Sequence, residues 1–242
     1  MSAPMFLVEA LPAGDVFVLD GPEGHHAATV QRLRAGETLL LSDGRGAQAT
    51  GRVDSVGKGT VSVSLVARSL LPAPDPQLVV VQGIAKGDRG ELAVQAMTEI
   101  GVDEILPWAA SRSVAQWRGD RGFKARDKWA ATAREAAKQA RRSWLPNVGG
   151  DPDCSTKQVA ARLGSSAAAF VLHEEATERL TTVELPSSGE IVLVVGPEGG
   201  ISDAEVEAFG AATPVRLGRE VLRTSTAGVA ALSVLSARLG RW

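Results

Sequence analysis

Two segments carry the residue types from which a small-molecule site is made. The apolar run Val192-Leu193-Val194-Val195 empties into Gly196-Pro197-Glu198-Gly199-Gly200, with Ile201-Ser202 behind it. Residues without a Cβ at the end of a buried strand let backbone approach a flat ligand, and open α/β sheets place their sites there. Further on, Leu217-Gly218-Arg219-Glu220-Val221-Leu222-Arg223-Thr224-Ser225-Thr226-Ala227 repeats the sequence of apolar strand, glycine turn and helix start. Two such turns suggest one ligand held between adjacent loops. The bland reading is that the glycines make tight turns, that Ser202 or Asp203 caps the next helix, and that Thr224 or Ser225 caps the last one. Arg223 is harder to explain by folding. A guanidinium at a strand–helix junction can grip a phosphate or a base edge, although a surface salt bridge would use it equally.

The motif also excludes ligands. No Gly-Lys-Ser/Thr follows the glycines and Gly-x-Gly-x-x-Gly is missing, so the site is not built around nucleotide phosphates. His173-Glu174-Glu175 follows another apolar run, Ala167–Leu172, and His173 could line the same pocket, whereas Glu175 reads as a solvated turn. Only three histidines exist and two of them, His25-His26, lie far upstream, so no metal site is expected.

Charge is informative by its distribution. Net charge is −2, but residues 86–146 carry 12 Lys/Arg against 8 Asp/Glu, and residues 147–242 carry 8 against 12. Lys86-Gly87-Asp88-Arg89, Arg112, Arg118, Arg121 and a helix bearing Lys124, Arg126, Lys128, Arg134, Lys138, Arg141 and Arg142 could form a phosphate-binding face, with Trp117, Trp129 and Trp144 interleaved. Singly, each is an ordinary solvated residue. Together they lean toward RNA.

These segments need scaffolds to position them. Residues 1–71 hold short apolar runs (Phe6-Leu7-Val8, Val16–Leu19, Thr38–Leu41), the turn Asp43-Gly44-Arg45-Gly46, and an alternating strand at Val61–Val66. Such spacing predicts a small β-barrel with one short helix from His25 to Leu33. Leu71-Pro72-Ala73-Pro74-Asp75-Pro76 stops both helix and sheet, which makes 72–77 a linker. After it strands alternate with helices: Leu78–Val81, helix Arg89–Ile100, Glu104–Trp108, a long helix Gly122–Arg142, Ala167–Leu172, Ile191–Val195, Pro214–Leu217, and a final helix Thr226–Arg238. That alternation over 78–242 predicts a parallel sheet covered on both faces. The final helix is apolar enough to sit in the core or against a partner. One cysteine, Cys154, fits a reducing compartment and leaves no disulfide framework. No apolar run reaches membrane-spanning length, and Met1–Met5 has no leader character, so a cytoplasmic protein is expected.

At these residues the chain resembles the RsmE family, SPOUT-class enzymes that use S-adenosylmethionine to methylate N3 of a uridine in 16S ribosomal RNA. The resemblance runs from His25-His26, Arg32-Leu33-Arg34, Gly36 and Asp43–Gly46 through Lys86–Arg89, Glu99–Val102 and Arg112-Ser113-Val114 to Leu172–Glu174, Gly196–Gly200 and Leu217–Thr224. It implies a PUA-like N-terminal β-barrel that binds RNA, and a C-terminal parallel-sheet domain whose last segments form a trefoil knot. It implies a homodimer with 16S ribosomal RNA or the assembled small subunit as partner, and neither metal nor membrane. S-adenosyl-L-methionine would be held by Leu172, His173, Val195, Gly196, Pro197, Glu198, Gly199, Gly200, Leu217, Gly218, Val221 and Leu222. RNA would be held by Arg32, Arg34, Arg45, Lys86, Arg89 and Arg112. Two departures stand out. Ser225 occupies the place between two threonines where the family often has an acid, and the start Ala3-Pro4-Met5-Phe6 lacks the family's usual basic residues.

The implied reaction needs the imide proton of uridine N3 removed, or the resulting negative charge stabilised. Glu198 is the candidate base and Arg223 the candidate stabiliser. Other readings share the loops: a SPOUT enzyme acting on a ribose 2′-hydroxyl or another base, a non-catalytic RNA-binding assembly factor, or a metabolite-binding α/β protein.

Overall fold

The computed structural model describes residues 3–242. Met1 and Ser2, the first two residues of the expected first domain, lie outside the described residues. The chain forms two compact units, one of residues up to Ala73 together with Ala137–Leu145, the other of Pro74–Ala136 and Pro146–Trp242.

The first unit is a five-stranded sheet in the order β1-β3-β4-β5-β2, made of β1 (Met5–Leu7), β2 (Val16–Leu19), β3 (Thr38–Ser42), β4 (Ala47–Val56) and β5 (Val61–Leu70). Its pairings are antiparallel except β1 with β3. Among the described residues no ladder joins the edge strands β1 and β2, so hydrogen bonding alone does not close the expected barrel. Phe6, Leu19, Leu39, Leu41, Val53, Val61 and Val63 fill its core. The short helix begins earlier than the sequence pattern suggests: α1 (Gly21–His25) starts with Pro22 in its first turn and continues into a π-turn at His26–Val30. The segment Ala137–Leu145 was not expected here. It is fixed by Lys138, nearly buried, whose Nζ meets Glu23 Oε1 at 2.8 Å, and by Trp144 Nε1 donating to the carbonyl of Leu71 at 3.1 Å.

The second unit is a six-stranded, wholly parallel sheet ordered β11-β9-β10-β6-β7-β8. Its strands are β6 (Gln77–Gly83), β7 (Glu104–Trp108), β8 (Asn147–Val148), β9 (Ala168–Leu172), β10 (Glu190–Val195) and β11 (Thr213–Val215). Successive side chains of a strand point to opposite faces. Leu78, Val80, Ile191 and Leu193 therefore enter one core with α2 (Arg89–Ile100), α3 (Gly119–Gln139) and α6 (Thr224–Arg238). Val79, Val81, Val192 and Val194 enter another with α4 (Thr156–Ser165) and Phe209, just past α5 (Asp203–Ala208). Two buried faces explain why the strands read as unbroken apolar runs. The last helix is a core element: Ala231, Leu232 and Leu235 are buried and pack with α2 residues Val94 and Met97.

Candidate functional site

β6 and β10 lie side by side in register, with Gln82 opposite Val195. From this pair the chain leaves in two directions, through β7 and β8 on one side and through β9 and β11 on the other. Such a switch point opens a crevice at the carboxyl ends of the strands. A cavity of about 670 Å³ occupies it, walled by Leu172–Glu175 after β9, Val195–Ile201 after β10, and Val215–Thr224 after β11, with Arg89, Arg112, Asp203 and Ala227 completing it.

Local chemistry shapes each wall. Gly200 has φ +73°, a left-handed conformation that residues with a Cβ rarely adopt, and its N–H closes the turn onto the Pro197 carbonyl at 2.9 Å. Gly83, at the end of β6, must be glycine for a different reason: a Cβ there would stand 2.6 Å from the nitrogen of Pro197. The glycine turn is tied to the last helix through a buried chain. Gln82 Nε2 donates to Thr224 Oγ1 at 2.9 Å, and Thr224 Oγ1 donates to the Gly196 carbonyl at 2.8 Å. This corrects the expected cap. Arg223 is the N-cap residue of α6, no side chain caps that end, and the Thr224 hydroxyl serves tertiary bonding instead. The other expected cap is present, since Ser202 precedes α5 and Glu205 returns to its N–H at 2.9 Å.

Glu198 is held on one oxygen. Its Oε1 accepts the Lys86 N–H at 3.2 Å and Arg89 Nη1 at 3.3 Å. Arg112 Nη1 donates to the Ile201 carbonyl at 3.3 Å. His173 accepts the Glu175 N–H on Nδ1 at 3.3 Å, while its own N–H bonds the Val215 carbonyl at 2.9 Å. Behind the turn lies Glu205, almost fully buried. Burial alone would raise its carboxyl, but the N–H groups of Ser111 and Ser202, with their hydroxyls, outweigh that and hold it below the usual carboxylate range.

All twelve residues expected to hold a cofactor line this one cavity, as does Arg223, which is exposed at its edge. A family model described as an RNA methyltransferase domain matches residues 72–236, and one for an RNA methyltransferase PUA domain matches residues 19–66. A ribosomal RNA small subunit methyltransferase E of Mycobacterium bovis is 43% identical over 247 residues, covering 100% of this chain and 94% of that protein. The chain belongs to the ribosomal RNA small subunit methyltransferase E family.

Another member of the small subunit methyltransferase E family, from Bacillus subtilis, is 31% identical over 91% of this chain and 89% of its own length. The Neisseria gonorrhoeae member, solved bound to S-adenosyl methionine, superposes with a TM-score of 0.86 at 27% identity, covering 98% of each chain. A Legionella pneumophila methyltransferase in complex with the same cofactor gives 0.84 at 28% identity, again over 98% of each.

The basic residues singled out in this family member are divided between the two units. Arg32, Arg34 and Arg45 are exposed in the first unit, where Arg45 Nη2 donates to the Glu9 carbonyl at 2.7 Å. Lys86, Arg89 and Arg112 are in the second unit, and all three are tied to the glycine turn. The tryptophans do not form an exposed aromatic face. Trp129 is buried in the core, and Trp144 packs on Gly46. Sequence reading missed Gln82 and Glu205. Only Glu205 left a signal, the Ser-x-x-Glu spacing of a capping box.

Proposed function

We propose that the chain methylates N3 of a uridine in 16S ribosomal RNA, in the cytoplasm, with S-adenosyl-L-methionine bound in the cavity at the ends of β9, β10 and β11. One observation carries this: one cavity is lined by both glycine turns and by the loop after β9, in a chain of this family. The cavity fits the cofactor. Its volume lies inside the range of about 300–1,000 Å³ typical of small-molecule sites. Its walls pair apolar strand ends and glycine backbone, suited to adenine, with carboxylates and guanidinia suited to a zwitterionic amino acid tail. Leu172, His173, Val195–Gly200, Leu217, Gly218, Val221 and Leu222 hold it.

S-adenosylmethionine supplies an activated methyl group on a sulfonium. The chain's own residues do the rest. Glu198 takes the imide proton of the uracil on the oxygen that Lys86 and Arg89 leave alone, since both bonds fall on Oε1. Arg223 stabilises the negative charge that then spreads onto the uracil carbonyl oxygens. Exposed Arg32, Arg34 and Arg45 on the PUA-like unit hold the RNA backbone, and 72–77 links that unit to the catalytic one. The protein works as a homodimer: Val221 is 75% exposed and Leu222 40% exposed on the cavity wall, an apolar edge for a partner copy to cover. The last segments form a trefoil knot, a reading supported by β10 lying between β6 and β9 and by the tie of Thr224 to Gly196.

The test is transfer of labelled methyl from S-adenosylmethionine to small ribosomal subunits that lack their own modification, followed by nucleoside mass spectrometry. The expected product is 3-methyluridine. A 2′-O-methylated nucleoside, or no transfer, would overturn the assignment.

A further inference from the structure

A second cavity, of about 280 Å³, opens beside the loop that follows β7. It is lined by Ser111, Ser113, Gln116, Trp117 and Arg118 of that loop and by Asp153 across from it, with alanines between. Its volume falls at the lower limit of small-molecule pockets, about 300 Å³, too small for a whole cofactor and suited to one planar ring.

The loop is tied down at its start and borders both cavities. The Ser111 N–H is held by Glu205 Oε1 at 2.7 Å, its hydroxyl by that of Ser202 at 3.1 Å, and the Ala109 N–H by the Cys154 carbonyl at 3.0 Å. Arg112 lines the large cavity, while its neighbours Ser111 and Ser113 line the small one. Trp117 is half-buried and pinned edge-to-face by the buried Trp129, with ring centroids 4.9 Å apart and planes at 78°. Ser113 is 7% exposed, yet among the described residues its hydroxyl has no hydrogen-bond partner. A buried hydroxyl left unpaired is costly unless something else completes it. Burial holds the Asp153 carboxyl above its ordinary range.

We infer that this cavity binds one nucleobase of the RNA substrate, a base flanking the methylated nucleotide. A fixed indole supplies a stacking surface. The Ser113 hydroxyl meets a ring carbonyl or nitrogen, and the Asp153 carboxylate accepts a ring N–H or exocyclic amine. Arg118, exposed at the mouth, faces the phosphate that follows. Enzymes that act on a base extrude it from the stack and read its neighbours to choose their site. A base seated here sits one loop away from the cofactor cavity. The inference rests on the proposed action on RNA.

The test uses the full chain and a short small-subunit RNA spanning the methylated nucleotide, with abasic substitutions scanned one position at a time. With the wild-type protein, one abasic position other than the methylated one should weaken binding roughly tenfold or more. With Trp117→Ala or Asp153→Asn, the intact RNA should bind as weakly as that abasic RNA does to wild type, and the abasic change should cost nothing further. Asp153→Asn and Ser113→Val should also raise KM for small subunits while leaving kcat and S-adenosylmethionine affinity unchanged. Should Trp117→Ala not fold, the other two carry the result. The inference is overturned if no flanking position behaves this way, or if KM is unchanged in both polar variants. Failure of the functional reading looks different: the wild-type protein would then transfer no methyl to RNA at all.

Discussion

The two ends of the parallel sheet are built on opposite principles. At the amino ends charges close on each other. Arg162 of α4 donates Nε and Nη2 to the two carboxylate oxygens of Glu190, each at 2.8 Å, and Nη2 also reaches Glu104 at 2.5 Å. Asp103 accepts the Leu78 N–H at 2.9 Å and pairs with Arg241 at 3.2 Å. At the carboxyl ends the strands run out into glycine turns around a cavity, and Arg223 and Val221 stay exposed. One end uses its polar residues on itself. The other holds its backbone tightly, through Gln82, Thr224 and Gly196, and leaves side chains for a ligand. An α/β sheet thus separates stability from function along the direction of its strands.

The largest effect expected from breaking this contrast is on turnover. Arg223→Ala removes a group that the fold does not use, because no capping bond is lost and the side chain is exposed. Methyl transfer should fall about 100- to 1,000-fold, the usual consequence of deleting one electrostatic stabiliser, with stability changed by less than about 0.5 kcal/mol. Glu198→Gln should also lower kcat, by about 100- to 10,000-fold, while retaining an acceptor for Arg89 and Lys86. Near-normal turnover in both variants would remove Glu198 and Arg223 from the chemistry.

The converse change is at the amino end. Arg162→Ala leaves Glu104 and Glu190 facing each other without a cation. Losing one partner of a fully buried pair costs about 3–5 kcal/mol. Arg162 is 32% exposed, so solvent screening brings the expected loss to about 1–3 kcal/mol. Thermal unfolding should shift down by several degrees, while kcat and KM per folded molecule stay as they were. A loss of activity that outruns the loss of folded protein would show that the two ends are coupled.

What the sequence revealed follows the same division. Leu78–Val81 and Ile191–Val195 were legible because strands buried on both faces must be continuously apolar. The glycine loops were legible because few residues satisfy their backbone. β4 went unread, since it buries only Ala49, Gly51 and Val53, small residues without a strong alternating pattern. α4 went unread although Ser155 and Gln158 form a capping box at its start. The tie between Gln82 and Thr224 spans 142 residues and depends on the sheet bringing the end of β6 beside the start of α6, which no local pattern records. The spacing of Trp129 suits either side of a helix, and only packing places it inside.

The smallest expected effect sharpens the comparison, because Glu205 is a stabilising carboxylate at the functional end. Its folded carboxyl lies below the ordinary value of 4.5, so the folded state holds the ionised form more tightly than the unfolded chain does. The sign follows directly. Its contribution is complete above the ordinary carboxylate range and is lost as pH falls through that range toward the lower folded value. Glu205→Gln replaces a charge-assisted acceptor of the Ser111 and Ser202 N–H groups with a neutral one, at a cost of about 1 kcal/mol above pH 5. Urea unfolding of both proteins across an acid pH series should show the gap narrowing as pH falls. A gap that stays constant with pH would mean that the carboxylate acts by shape and not by charge. Because the same carboxylate fixes Ser111, at the base of the loop that carries Arg112 and Ser113, the variant should also loosen substrate affinity slightly, visible as a rise in KM with kcat unchanged.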